Sequence, residues 1–167
     1  MKGVSSKDVF HVNSPDELAS ALARVDEPLV QEMLKGQEYT IDVFCDQSGR
    51  ALASVPRMRL ETRSGISYRG VTIRDEELIE AGLRIAGELG IIGHCNIQCF
   101  KDGKAAARFF EVNPRFSGSL PLTIRAGLNS PLLTVMLSLG KTIPTHMLGF
   151  QENLMMLRYW EEHYVQG

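Results

Sequence analysis

The residues Phe109-Phe110-Glu111-Val112-Asn113-Pro114-Arg115-Phe116-Ser117-Gly118 run from strand-forming aromatics into a charged, glycine-ended loop. A strand over residues 109–113 places Phe109, Glu111 and Asn113 on one face and Phe110 and Val112 on the other. A carboxylate and an amide oxygen then point the same way. Both are hard oxygen donors of the kind Mg²⁺ takes, and Mg²⁺ commonly shares its other positions between water and substrate phosphates. Arg115 follows just beyond Pro114, and its planar guanidinium suits a phosphate oxygen better than burial. A plainer reading makes Glu111 the partner of a lysine, Asn113-Pro114 a strand-ending turn and Arg115 a solvated charge. Spacing alone leaves both readings standing.

A strand bearing these residues needs a neighbour, and residues 91–100 alternate in a way that supplies one. His94, Asn96 and Gln98 fall on one face, Cys95, Ile97 and Cys99 on the other. A two-residue turn at Asp102-Gly103 would pair Gln98 with Ala107 and leave Glu111 about 13 Å further along. A longer connection over residues 102–107 pairs Phe100 with Phe109 instead and brings Gln98, Glu111 and Asn113 together. Only that second register sets the three side chains beside one another.

The remaining elements follow from periodicity and punctuation. Residues 72–89 form the clearest helix, with Asp75, Glu76 and Glu77 in its first turn, a stripe of Leu78, Ile79, Ile85, Ala86 and Leu89, and Gly90 as its stop. Residues 39–45 read as a strand that returns over 51–55 through the turn Asp46-Gln47-Ser48-Gly49. Arg57, Arg59, Arg63 and Arg69, interspersed with Ser64, Gly65, Ser67 and Gly70, read as a basic loop, either solvated or folded over an anionic ligand. Near the start, Gly3-Val4-Ser5-Ser6-Lys7 is a small-residue turn whose amides could curl around a phosphate. A strand is expected at 9–12, a helix over 15–24 with Leu18, Ala21 and Leu22 on one face, and a strand at 29–34 leading into the turn that carries Glu38. Toward the end, a helical segment opens at Ser119 and breaks at Gly127, a second starts at Asn129-Ser130-Pro131, and residues 154–160 form a last strand.

Composition bounds the alternatives. A chain of 167 residues holds one domain with a real core, or part of a larger one, and 44% apolar with 23% charged residues is an ordinary globular balance. A formal charge of −2 gives no electrostatic reason to expect nucleic acid. No apolar run approaches the ~20 residues of a membrane-spanning helix, and the first residues lack a signal-peptide core, so no membrane association and a cytoplasmic location are expected. Cys45, Cys95 and Cys99 are three cysteines without a Cys-x-x-Cys pair, which argues against a disulfide framework and a structural zinc site.

Glu111-Val112-Asn113-Pro114-Arg115 followed by Ser117-Gly118, taken with Asn96-Ile97-Gln98 and the stretch from Gln31 to Glu38, resembles the ATP-grasp ligases, in particular the carbamoyl-phosphate synthase large-chain-like branch. The likeness extends over residues 3–144. It implies an α+β fold: a mainly antiparallel sheet with helices packed on one side, the large ATP-grasp lobe over 35–167, preceded by a partial small nucleotide-binding lobe and hinge over 1–34. It further implies that Gln98, Glu111 and Asn113 bind Mg²⁺, with Mn²⁺ as an alternative, and that Arg115 and Asn113 serve the transferred phosphoryl group. Gln31, Glu32, Met33 and Leu34 would meet adenine, Glu38 the ribose, and Ser5, Ser6 and Lys7 the phosphates as part of a lid. The activity implied is that of an ATP-dependent ligase, in which ATP converts a small carboxylate to an acyl phosphate that an amine or similar nucleophile attacks. The family's phosphate-binding lysine strand and an amino-terminal domain that helps bind the acceptor are then expected outside this chain, which alone would fold without turning over substrate. A homodimer stays open, as do two other classes: a non-catalytic nucleotide-binding or regulatory module, and a structural domain that keeps the fold.

Overall fold

A computed structural model describes residues 9–63, 66–103 and 105–166, with only the backbone at positions 63 and 66. The chain divides into two compact units, Met1–Lys35 and Gly36–Gly167. No helix among the described residues is long and apolar enough to cross a membrane.

In the first unit, helix α1 (Pro15–Leu22) begins where the sequence signals it. The Ser14 hydroxyl accepts from the Glu17 amide at 3.2 Å, and the Glu17 carboxylate accepts from the Asn13 amide at 2.7 Å, so two otherwise orphaned N–H groups are satisfied. The strands expected at 9–12 and 29–34 are not formed. A strand persists through a ladder with a neighbour, and among the described residues none pairs with either segment. Leu29, Val30 and Met33 are consequently exposed. Ser5, Ser6 and Lys7 lie outside the described residues.

The second unit is a six-stranded antiparallel sheet in the order β5-β4-β1-β2-β3-β6, formed by β1 (Gln37–Cys45), β2 (Ala51–Arg63), β3 (Ile66–Thr72), β4 (Gly93–Lys101), β5 (Arg108–Asn113) and β6 (Met155–Leu157). The Asp46 carboxylate closes the β1–β2 turn by accepting from the amides of Ser48 and Arg50 at 2.9 and 3.1 Å. β2 is longer than expected, because the basic segment is not a loop. Arg57 and Arg59 alternate with Met58 and Leu60 along the strand, and β2 and β3 form a long ribbon.

Helix α2 (Glu76–Glu88) starts at Asp75, whose carboxylate accepts from the Leu78 amide at 3.2 Å. It lays Leu78 and Ala86 on Ile41, Val43, Cys45, Cys95, Ile97 and Cys99. Burial pushes the thiols of Cys95 and Cys99 up to about 12 and that of Cys45 to about 11, so all three stay protonated as core residues. The sheet's opposite face carries a second cluster in which Phe44, Ala53 and Val55 meet Leu128 and Leu133, the latter on helix α4 (Ser130–Ser138). The short helix α3 (Leu120–Ala126) precedes α4 and ends at Gly127, where φ is 128°. The fold is thus α+β on a mainly antiparallel sheet, with helices on both faces where one side was expected.

The close approach of α2 to the sheet depends on Gly82. A Cβ there would sit 2.6 Å from Ser54 Oγ and 2.8 Å from Ile41 Cγ2. Gly82→Ala is therefore expected to destabilise the chain by about 1–3 kcal/mol despite alanine's better helix propensity, measured as a lower urea midpoint. An unchanged or raised midpoint would show that the helix is free to back away.

Candidate functional site

The face of the sheet opposite α2 carries the polar residues. On β1 these are Glu38, Thr40 and Asp42, on β2 Arg57 and Arg59, on β4 His94, Asn96 and Gln98, and on β5 Glu111 and Asn113. At its centre Asp42 is fully buried. It meets Arg57 Nη2 at 2.9 Å and accepts from Asn96 Nδ2 at 2.9 Å and from Thr123 Oγ1, on α3, at 2.5 Å. His94 Nε2 stands 3.6 Å away, beyond hydrogen-bond distance. Burial alone would raise the Asp42 pKa, yet the Arg57 charge, with His94 and Thr123 acting the same way, holds it well below the usual carboxylate range.

Arg57 reaches beyond Asp42 to the loop after β5. Its Nη2 donates to Ser117 Oγ at 3.0 Å and its Nη1 to Ser119 Oγ. The Phe116 ring lies 5.1 Å from the His94 ring, and the Arg158 guanidinium donates to the Gly118 carbonyl. The loop holding Arg115 is thereby fastened to the sheet from below.

A second polar row lies nearer solvent and crosses four strands. Arg59 Nη1 pairs with the Glu38 carboxylate and donates to Gln98 Oε1 at 3.1 Å, and Gln98 Nε2 donates to Glu111 Oε2 at 2.5 Å. Burial pushes the Glu38 carboxyl up, Arg59 opposes that shift, the Glu111 charge reinforces it, and the net is a raised value.

Gln98 stands directly opposite Glu111, and Asn96 opposite Asn113. This register comes from a β-bulge. Cys99 pairs with Phe109 and Phe100 with Arg108, not with Phe109 as the longer connection predicts, so Phe110 is the extra, unpaired residue. The bulge also corrects the expected faces. Phe109 joins Val112 against the core shared with α2, while the Phe110 ring sits 5.2 Å from that of Phe100. Strict alternation would have put Glu111 with Phe109.

Arg115 is exposed, with Nη2 3.2 Å from Asn113 Oδ1 and Nη1 3.2 Å from the Phe116 carbonyl. Asn113 Nδ2 is buried and makes no hydrogen bond. Glu38 lies at the start of β1, not in a turn. Gln31, Glu32, Met33 and Leu34 belong to the first unit. Sequence reasoning missed Asp42 and the burial of Arg57 and Arg59. The available signals were an aspartate inside an otherwise apolar strand, which demands a paired cation if buried, and the i, i+2 spacing of the two arginines. Among the described residues no three His, Cys, Asp or Glu side chains are grouped to hold a metal ion.

Residues 24–159 match the family model described as ATP-grasp in the biosynthetic pathway with Ter operon. The chain is 31% identical over 120 residues to the carbamoyl phosphate synthase large chain of Methanospirillum hungatei, an alignment spanning 66% of this chain and 11% of that protein. It resembles the structure of carboxyaminoimidazole ribonucleotide synthase from Aspergillus clavatus complexed with ATP at a TM-score of 0.65 and 17% identity, covering 93% of this chain and 43% of that one. It also resembles the biotin carboxylase domain of Hydrogenobacter thermophilus 2-oxoglutarate carboxylase, in complex with MgADP, ADP and bicarbonate, at a TM-score of 0.56 and 17% identity over 68% and 27% of the two chains. Likeness at these identities establishes the fold.

The Asp42–Arg57 pair sets a testable acid response. Asp42→Asn leaves Arg57 buried without its counter-charge and is expected to cost about 3–5 kcal/mol at neutral pH. The folded carboxyl titrates below its unfolded value of 3.8, so the stabilisation is fully present above pH 3.8 and is lost as the pH falls through the lower folded value. Urea denaturation of parent and variant across pH 2–7 should show a constant gap that narrows only below pH 3.8. A gap that closes between pH 5 and 7 would contradict this account.

Proposed function

This chain belongs to the ATP-grasp family, and on that premise we propose that it carries the metal and nucleotide site of an ATP-dependent ligase that activates a carboxylate as an acyl phosphate. The observation that carries the reading is the convergence of Gln98, Glu111 and Asn113 on one face, two strands wide, with Arg115 tethered beside them. The donor set fits Mg²⁺, or Mn²⁺ in its place. It offers one exposed carboxylate and the carbonyl oxygens of two amides, all-oxygen ligation of the hard kind. When bound, the cation held by Gln98, Glu111 and Asn113 would supply positive charge against the nucleotide's phosphates.

The reaction proposed is in-line transfer. A substrate carboxylate oxygen attacks the γ-phosphorus, the bond to the ADP oxygen breaks, and an amine or similar nucleophile then attacks the acyl carbon and expels phosphate. Arg115 balances charge at the transferred group, with the Phe116 carbonyl accepting from its guanidinium. Glu38, whose raised pKa still leaves it paired to Arg59, would accept from ribose hydroxyls. Gln31, Glu32, Met33 and Leu34 are proposed for adenine, and Ser5, Ser6 and Lys7 for the phosphates. The curated relative named above is a carbamoyl phosphate synthase large chain, and the neighbouring structures hold ATP or MgADP with bicarbonate, which supports a nucleotide and a small carboxylate as ligands.

Isothermal calorimetry with MgATP tests the assignment. Glu111→Gln removes charge with little change in volume, so the fold should persist by circular dichroism while Mg-dependent nucleotide binding is lost. Equal binding by parent and variant would remove Glu111 from the site. Absence of binding by the parent would leave a structural domain.

A further inference from the structure

Two of the three proposed metal donors are amides, and both turn their oxygen toward an arginine. Arg59 Nη1 donates to Gln98 Oε1 at 3.1 Å, and Arg115 Nη2 donates to Asn113 Oδ1 at 3.2 Å. The Gln98 orientation is fixed from both ends. A guanidinium only donates and an ionised carboxylate only accepts, so the oxygen must face Arg59 and the NH₂ must face Glu111, 2.5 Å away. The side of Gln98 that borders Glu111 therefore offers no lone pair to a cation.

We propose that Arg59 is a positioning residue that keeps the site closed to a free divalent cation and lets it open only to a cation arriving with a polyphosphate. This rests on the reading of Gln98, Glu111 and Asn113 as metal ligands. A free cation would have to break the Arg59–Gln98 hydrogen bond and sit near the positive charge of a guanidinium whose side chain is only 7% exposed. A triphosphate changes each of these. Its oxygens are stronger acceptors for a guanidinium than a neutral amide is, and its charge offsets both cations. Released, Gln98 turns its amide by half a rotation and presents Oε1 beside Glu111. The two ends of an amide have nearly the same shape, so the turn needs no repacking. The amide is essential to this closure. A carboxylate at position 98 has two equivalent oxygens and could satisfy Arg59 with one while holding the cation with the other. At the next pair on the same face Arg115 likewise holds the oxygen end of Asn113, whose Nδ2 makes no hydrogen bond.

Linkage makes the coupling measurable from the metal side without turnover. With the full chain, Mn²⁺ binding followed by electron paramagnetic resonance should be weak alone, and a non-hydrolysable ATP analogue should tighten it about tenfold or more. Arg59→Gln should tighten Mn²⁺ alone about tenfold and shrink the gain from the analogue by a similar factor. A merely structural arginine would instead weaken both together. A second measurement uses the unmutated chain. The Gln98 side-chain amide signal in a ¹⁵N spectrum, assigned by its loss in Gln98→Met, should shift with Mg²⁺ plus the analogue and stay put with the same concentration of Mg²⁺ alone. An equal shift with Mg²⁺ alone, or Mn²⁺ affinity in folded Arg59→Gln no tighter than in the parent, would overturn the proposal. Glu111→Gln separates the two levels of inference. If it abolishes Mn²⁺ binding while Arg59→Gln changes nothing, the ligand assignment stands and only the closure falls. If Mn²⁺ binds Glu111→Gln as it binds the parent, the assignment falls and the closure with it.

Discussion

Asp42 and Arg57 form an ion pair on neighbouring strands, with no exposed surface on the acid side chain and 2% on the guanidinium. Removing two charges from water costs several kcal/mol per ion and is recovered only when the remaining lone pairs and N–H groups find partners. Here those partners are the architecture. Asn96 and Thr123 fill the free positions of the carboxylate, and Ser117 and Ser119 take the outer nitrogens of the guanidinium. The sheet, the start of α3 and the loop after β5 are thus locked to one another by a requirement of satisfaction more than by apolar contact. The loop that presents Arg115 inherits its position from Arg57, three strands across the sheet from β5.

The bulge at Phe110 performs the complementary task for the outer row. Without it, the ladder that pairs Phe100 with Arg108 would continue to pair Gln98 with Phe110, and Glu111 would point into the core against Ile97 and α2. One inserted residue returns Glu111 to the polar face. It also separates two kinds of aromatic function, since Phe109 packs in the core while Phe110 covers Phe100 at the edge of the sheet. Bulges are frequent next to functional sites because they re-aim a side chain without moving the rest of the strand. This one aims the single carboxylate among the proposed ligands.

The sequence was legible where a local rule decides the outcome. Asp46-Gln47-Ser48-Gly49 closes a hairpin, Asn129 caps α4 before Pro131, and His94, Asn96 and Gln98 alternate with Cys95, Ile97 and Cys99, because turn chemistry and the strand period act within a few residues. Gln98 opposite Glu111 was also within reach once the short turn at Asp102-Gly103 was set against a longer connection. What lay outside local rules was missed. Four arginines among serines and glycines look solvated, and only the tertiary partner Asp42 makes Arg57 a core residue. The bulge has no sequence signature in Phe109-Phe110 beyond two adjacent aromatics. The segments at 9–12 and 29–34 have strand composition, but a ladder is a property of two chains' worth of backbone, not of one segment.

The outer row shows why balanced charge serves a site of this kind. Glu38 and Glu111 contribute two negative charges, Arg59 and Arg115 two positive ones, and they are interleaved with the neutral amides of Gln98 and Asn113. A row of carboxylates alone would collect any divalent cation, and a row of arginines any phosphate. An alternating row satisfies its own charges, so on the proposed reading a cation or an anion arriving singly would compete with an existing pair. A cation and a phosphate arriving together can match both members at once, the carboxylates toward the metal and the guanidiniums toward the oxygens. On the proposed reading, selectivity for a metal–phosphate ligand would need no deep pocket, only that the interactions within the row be good enough that neither half of the ligand can displace them alone.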